Sequence, residues 1–74
     1  MNKMTLQKEI YQKSAIEEAM QDFSRIARIH LDEEKENYYY LTFEQCIADP
    51  RRTMDEFGNY VLAETIRAAG GMYD

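Results

Sequence analysis

The sequence predicts an α+β fold: a two-layer sandwich of order β-α-β-β-α, with a three-stranded mixed sheet and two helices on one face of it. Hydrophobicity alternates with period two at 4–11, 27–32 and 38–43, the signature of half-buried strands. It recurs at three- and four-residue spacing after Ser14 and again after Pro50, the signature of amphipathic helices. Each helical run has a single apolar face, so both must lie against a sheet in two layers.

The first strand is read from Met4-Thr5-Leu6-Gln7-Lys8-Glu9-Ile10-Tyr11, with Met4, Leu6 and Ile10 on one side. Lys8 interrupts that side, which suits a strand at a sheet edge. Ser14-Ala15-Ile16-Glu17 has the form of a capping box, in which the Ser hydroxyl and the Glu carboxylate satisfy each other's backbone N–H groups. Ile16, Ala19, Met20, Phe23, Ile26 and Ala27 follow on one helical face, and Glu17, Glu18, Gln21, Asp22 and Arg25 on the other. The second strand turns Ile29 and Leu31 inward. A polar turn is expected over Glu33–Asn37, and the third strand turns Tyr39, Leu41 and Phe43 inward, completing a hairpin.

The stretch Glu44–Ala48 fits neither pattern. Asp49-Pro50 opens the second helix with a good cap and a proline at the first helical position, and Thr53-Met54-Asp55-Glu56 offers a competing box one turn later. Met54, Phe57, Val61, Leu62, Thr65, Ile66 and Ala69 form its apolar face, Gly70-Gly71 stops it, and Met72-Tyr73-Asp74 is expected to fray. A helical crossover predicts that the first two strands are parallel neighbours, right-handed, with the third antiparallel. The uncovered sheet face then carries Thr5, Gln7, Glu9, Arg28, His30, Tyr38, Tyr40 and Thr42.

Composition limits the classes of function. Seventy-four residues make one domain, spanning 1–74, near the lower size limit for an unassisted core, so a partner or a homodimer is expected. One cysteine makes no internal disulfide, no apolar run approaches the roughly 18 residues of a membrane span, and the opening residues lack a signal-peptide core. The expected compartment is the cytoplasm. Nine basic residues against fourteen acidic ones give a net charge of −5, and the basic residues are scattered, which argues against nucleic acid. Asp32-Glu33-Glu34-Lys35-Glu36 lacks the alternating ligands and the glycine of a calcium loop, so a solvated turn is expected and no metal site.

Little in the chain points to chemistry. His30 is the single imidazole; beside Asp32 it has the form of a general base, but an exposed sheet histidine has the same description. Cys46 lies beside Glu44 and Gln45, which do not activate a thiol. No phosphate-cradling glycine loop is present, and no cofactor is expected. Gly58 falls inside the second helix at a cost of about 1 kcal/mol relative to Ala, which close packing would explain. Arg67 complements the dipole at that helix's C-terminal end. The most unusual feature is Tyr38-Tyr39-Tyr40. With Tyr39 in the core, Tyr38 and Tyr40 face outward, where tyrosine supplies stiff amphipathic contact area; strand propensity alone also accounts for them.

Ile10-Tyr11-Gln12-Lys13-Ser14-Ala15-Ile16, followed by Ala19-Met20-Gln21-Asp22-Phe23, resembles the opening of the HxsD-type proteins of His-Xaa-Ser peptide systems. Glu56-Phe57-Gly58-Asn59-Tyr60-Val61-Leu62 with Arg67 resembles that family's closing helix, with a Phe-x-Asn pattern and a later Arg. The resemblance implies association with peptide-maturation systems that include radical-SAM enzymes, and it marks Phe57, Asn59 and Arg67. The chain has no three-cysteine cluster motif and is not itself the iron–sulfur enzyme. These readings lead to a non-catalytic accessory module that binds a peptide or protein partner through Tyr38, Tyr40, His30, Arg28 and Asn59. A small enzyme subunit or ligand-binding domain using His30, and a self-associating structural protein, are the alternatives.

Overall fold

The computed structural model describes residues 2–68. The elements are β1 (Asn2–Gln7), α1 (Lys13–Asp22), β2 (Arg28–Glu34), β3 (Tyr38–Glu44) and α2 (Pro50–Ala68). Ala69, the Gly70-Gly71 stop and the tail at 72–74 lie outside the described residues.

The sheet has the order β1-β3-β2, and both ladders are antiparallel. The expected mixed sheet is therefore corrected: β1 and β2 run in the same direction, but β3 stands between them. The tight hairpin fixes β3 beside β2, which leaves β1 a choice between the free edge of β2 and that of β3. An antiparallel ladder on β3 is slightly more stable per residue than a parallel one on β2. The edge of β2 is also interrupted, by a bulge between Leu31 and Glu33.

Leu6, Tyr39, Leu41 and Phe43 point from the sheet into one core, which Ala15, Ile16 and Ala19 of α1 and Phe57 and Val61 of α2 fill from the other side. Each large side chain fully buried there contributes roughly 1.5–3 kcal/mol. Phe57 is the hub. Its ring meets Phe43 edge-on at 5.2 Å and Phe23 edge-on at 5.3 Å, and Phe23 meets Tyr60 at 5.6 Å. This chain of rings ties β3, the end of α1 and α2 together.

Local details depart from the expected caps. α1 begins two residues early, with Gln12 as an extended N-cap that makes no side-chain cap bond. The Ile16 N–H takes the Gln12 carbonyl at 3.1 Å, and the Gln12 N–H donates to Thr65 Oγ1 of α2 at 3.2 Å. Ser14 thus lies inside the first turn, and its capping box does not form. The helix ends at Asp22 rather than running to Ala27, because Phe23 turns onto Phe57 and its carbonyl accepts the N–H groups of Ile26 and Ala27, each at 3.0 Å. β1 also stops early: the Gln7 carbonyl accepts from Ile10 and Tyr11, so Lys8–Ile10 form a turn and Glu9 is not on the strand. β2 runs on to Glu34, which shortens the expected turn to Lys35–Asn37.

The ambiguous stretch is a loop. Gln45 takes a positive φ of 52°, and the Ile47 N–H binds the Ile26 carbonyl at 2.9 Å. Asp49 caps α2 as expected, accepting the Arg52 N–H on Oδ2 at 3.2 Å. The competing cap, Thr53, is buried instead and donates its hydroxyl to the Asp49 carbonyl at 3.0 Å.

Gly58 is buried where α2 crosses β1, and a Cβ there would stand 3.0 Å from the Cε of Met4. The helix therefore approaches the strand through the missing side chain. Gly58→Ala is expected to be near neutral in urea unfolding, because the gain in helix propensity offsets a displacement of the flexible Met4 tip. Gly58→Leu is expected to lose about 1–3 kcal/mol by overpacking.

Candidate functional site

The helices cover one side of the sheet, and the other side is the candidate site. Register puts its residues in rows: Gln7 beside Tyr38, Thr5 beside Tyr40 and Glu33, Lys3 beside Thr42 and His30, and Glu44 beside Arg28. Tyr38, Tyr40, His30 and Arg28 therefore share one face, as their spacing predicts. Asn59 does not join them; it is exposed on α2, in the helical layer.

Tyr38 is 36% exposed and Tyr40 half-buried, their rings tilted at 51° with centroids 6.3 Å apart. The Lys35 ammonium lies 5.7 Å from the Tyr40 centroid, within cation–π range. Thr42, in the middle of the central strand, is buried despite facing away from the helices, and its hydroxyl donates to the Asp32 carboxylate. His30 Nε2 stands 3.3 Å from Glu44 Oε1, with both side chains more than 40% exposed. Among the described residues neither Lys3 nor Arg28 has a carboxylate within ion-pair distance. Lys3 and Glu44 were missed as members of this face, although Lys3 keeps the same alternation as Thr5 and Gln7. Asp32 depends on the bulge, which no sequence pattern signals.

The acidic run is not a uniformly solvated turn. Glu34 faces the helical layer and receives Lys13 at 2.9 Å and Lys8 at 3.2 Å, while Lys8 also lies 5.2 Å from the Tyr39 ring centroid. These groups close the end of the core. Hydrogen bonds from Lys13 and Lys8 hold the Glu34 carboxyl below its ordinary value, and the same Glu34 bond raises the Lys13 ammonium. Across the helices, a hydrogen bond to Glu64 raises the Glu18 carboxyl, and Arg67 donates to Glu64 at 2.6 Å. Tyr60 donates to the Asp22 carboxylate, which, with some burial, pushes the phenol up to about 12.

One open cleft of about 500 Å³ is lined by Gln7, Lys8, Glu9, Glu36, Asn37 and Tyr38, and a second of about 270 Å³ by Ser14, Ala15, Glu18, Glu64, Arg67 and Ala68. His30 lines neither. Among the described residues no group of three His, Cys, Asp or Glu is arranged to hold a metal ion, and no helix is long and apolar enough to cross a membrane.

The family model of the His-Xaa-Ser system protein HxsD matches residues 6–69, nearly the whole chain. The chain belongs to the HxsD family. No curated protein and no solved structure gives a significant match to it. Of the residues marked by the HxsD resemblance, Phe57 is the core hub and Arg67 an ion-pair partner in the last turn of α2, while Asn59 makes no side-chain hydrogen bond among the described residues.

Two titrations follow. Because the folded Glu34 pKa is depressed below 4.5, its contribution is present above that value and is lost as pH falls through the folded pKa. Glu34→Gln is expected to flatten the acid limb of a stability-versus-pH curve. The raised Tyr60 pKa acts the opposite way: its contribution is present below 10 and is lost as pH rises toward 12. Tyrosinate absorbance is expected to show one phenol titrating at about 12, and Asp22→Asn to lower it.

Proposed function

We propose that this chain is a non-catalytic accessory module of a His-Xaa-Ser peptide system that binds a peptide or protein partner on its uncovered sheet. Family membership supports the setting, a His-Xaa-Ser system, and a peptide-modification role beside a radical-SAM enzyme is part of the proposal. The observation that carries the binding role is the one-sided layering. In this small domain, among the described residues, the sheet face away from the helices is covered by no second layer, and it carries a pair of tyrosines on the central strand, two cations without carboxylate partners and two open edges. Such a surface supplies main-chain hydrogen bonds for affinity and side chains for selection. A role for His30 as a catalytic base has less support, since it is nearly half exposed, pairs with Glu44 and lines neither cleft.

The test is to add the precursor peptide and the maturase of the same gene neighbourhood to the labelled domain and record amide shifts by NMR. Changes are expected on β1, β2 and β3, and Tyr40→Ala is expected to weaken binding by roughly tenfold, the loss of a moderate interface anchor. Changes confined to α1 and α2 would remove the sheet-docking reading. Light scattering on the same samples separates a heterologous complex from a homodimer.

A further inference from the structure

We infer that the partner adds as an extended strand along β1, with a carboxylate side chain over Lys3, and that the β2 edge does not take it. This rests on the sheet-docking reading above and specifies where and what the sheet binds.

The direction of every free backbone group on β1 follows from one bond. The Lys8 N–H reaches the Asn37 carbonyl at 2.9 Å, which continues the register of Gln7 on Tyr38 and Leu6 on Tyr39. In an antiparallel ladder, hydrogen-bonded pairs alternate with non-bonded ones. The even residues Asn2, Met4 and Leu6 therefore bond to β3, and the odd residues Lys3, Thr5 and Gln7 direct their N–H and C=O outward. The Lys35 N–H to Tyr38 carbonyl bond, at 2.9 Å, gives β3 the complementary assignment toward β2. The Gln7 carbonyl is taken by Ile10 and Tyr11, so the groups on offer are both of Lys3, both of Thr5 and the Gln7 N–H. They lie on a strand with no bulge.

The β2 edge offers less. Its outward positions are Ile29 and Leu31, after which the bulge breaks the spacing amid Asp32, Glu33 and Glu34. An added strand would lose register there and meet carboxylates.

Charge selects the occupant. Lys3 is the only charged residue of β1, is exposed, and has no carboxylate partner among the described residues. The β1 strand of a second copy does not supply one. Two-fold pairing of β1 with itself sets Lys3 beside Thr5 when centred on Met4, and beside Gln7 when centred on Thr5, with two like charges close to the axis. A heterologous strand with an acidic side chain facing Lys3, and apolar side chains on the Met4 side, satisfies both faces.

The probes are two capped pentapeptides, Thr-Val-Glu-Val-Thr and Thr-Val-Lys-Val-Thr, titrated into the full chain by NMR with hydrogen exchange. The acidic probe is expected to shift and protect the Lys3, Thr5 and Gln7 amides and to bind roughly fivefold more tightly than the basic one, the difference between an exposed attraction and repulsion. Thr5→Pro removes an N–H that β3 does not use and is expected to abolish probe binding with the circular dichroism unchanged. Lys3→Glu, which leaves the backbone intact, is expected to invert the preference. Equal binding of the two probes, self-association through β1, or shifts centred on β2 or on Tyr38 and Tyr40 with β1 unaffected would each overturn the β1 assignment. The last of these leaves the sheet-docking reading standing, whereas no sheet shift with the probes or with the precursor peptide and maturase removes both.

Discussion

The architecture depends on a single ring. Phe57, with no exposed surface, is held edge-on between Phe43 of the central strand and Phe23 at the end of α1. Edge-to-face geometry sets the positive rim of one ring against the negative face of the next and adds about 0.5–1.5 kcal/mol per pair to the burial itself. Three chain segments that share no hydrogen-bond ladder are thereby fixed at one point. Gly58, the next residue, lets the same helix settle onto β1. The Phe-Gly step therefore sets both how deep α2 lies and where it crosses the sheet.

With both helices gathered around Phe57, nothing remains among the described residues to cover the opposite face. One end of the core is closed by charge. Lys8 and Lys13 converge on Glu34 above the Tyr39 ring, and the ammonium groups keep water contact while their stems cover apolar surface. A domain of this size has too few apolar residues to seal every opening, and paired charges at the rim finish the enclosure.

Much of this was legible in the sequence, because parity and helical spacing report which side of an element is apolar. The inward set Leu6, Tyr39, Leu41, Phe43, Ile16, Ala19, Phe57 and Val61 follows from those periods, as does the sharing of one face by Arg28, His30, Tyr38 and Tyr40. What escaped depends on contacts between segments distant in sequence. The N-cap of α1 is set by Thr65 of α2, not by the local Ser14 box. The partner of β1 is decided by which of two edges is unbroken. The bulge after Leu31 resets the alternation, so Glu34 turns inward with Tyr39 and Glu33 outward with Tyr40, the reverse of uninterrupted parity. A bulge has no sequence signature of its own, and the role of Glu34 was hidden with it.

The position of β3 between its neighbours has a consequence for assembly. β2 and β3 are joined by a few residues and meet at small entropic cost, whereas Asn2 must find Phe43 across nearly the whole intervening chain. As the polypeptide leaves the ribosome, β1 emerges first and waits unpaired until the last strand has been made. β1 is then a late addition to a preformed hairpin.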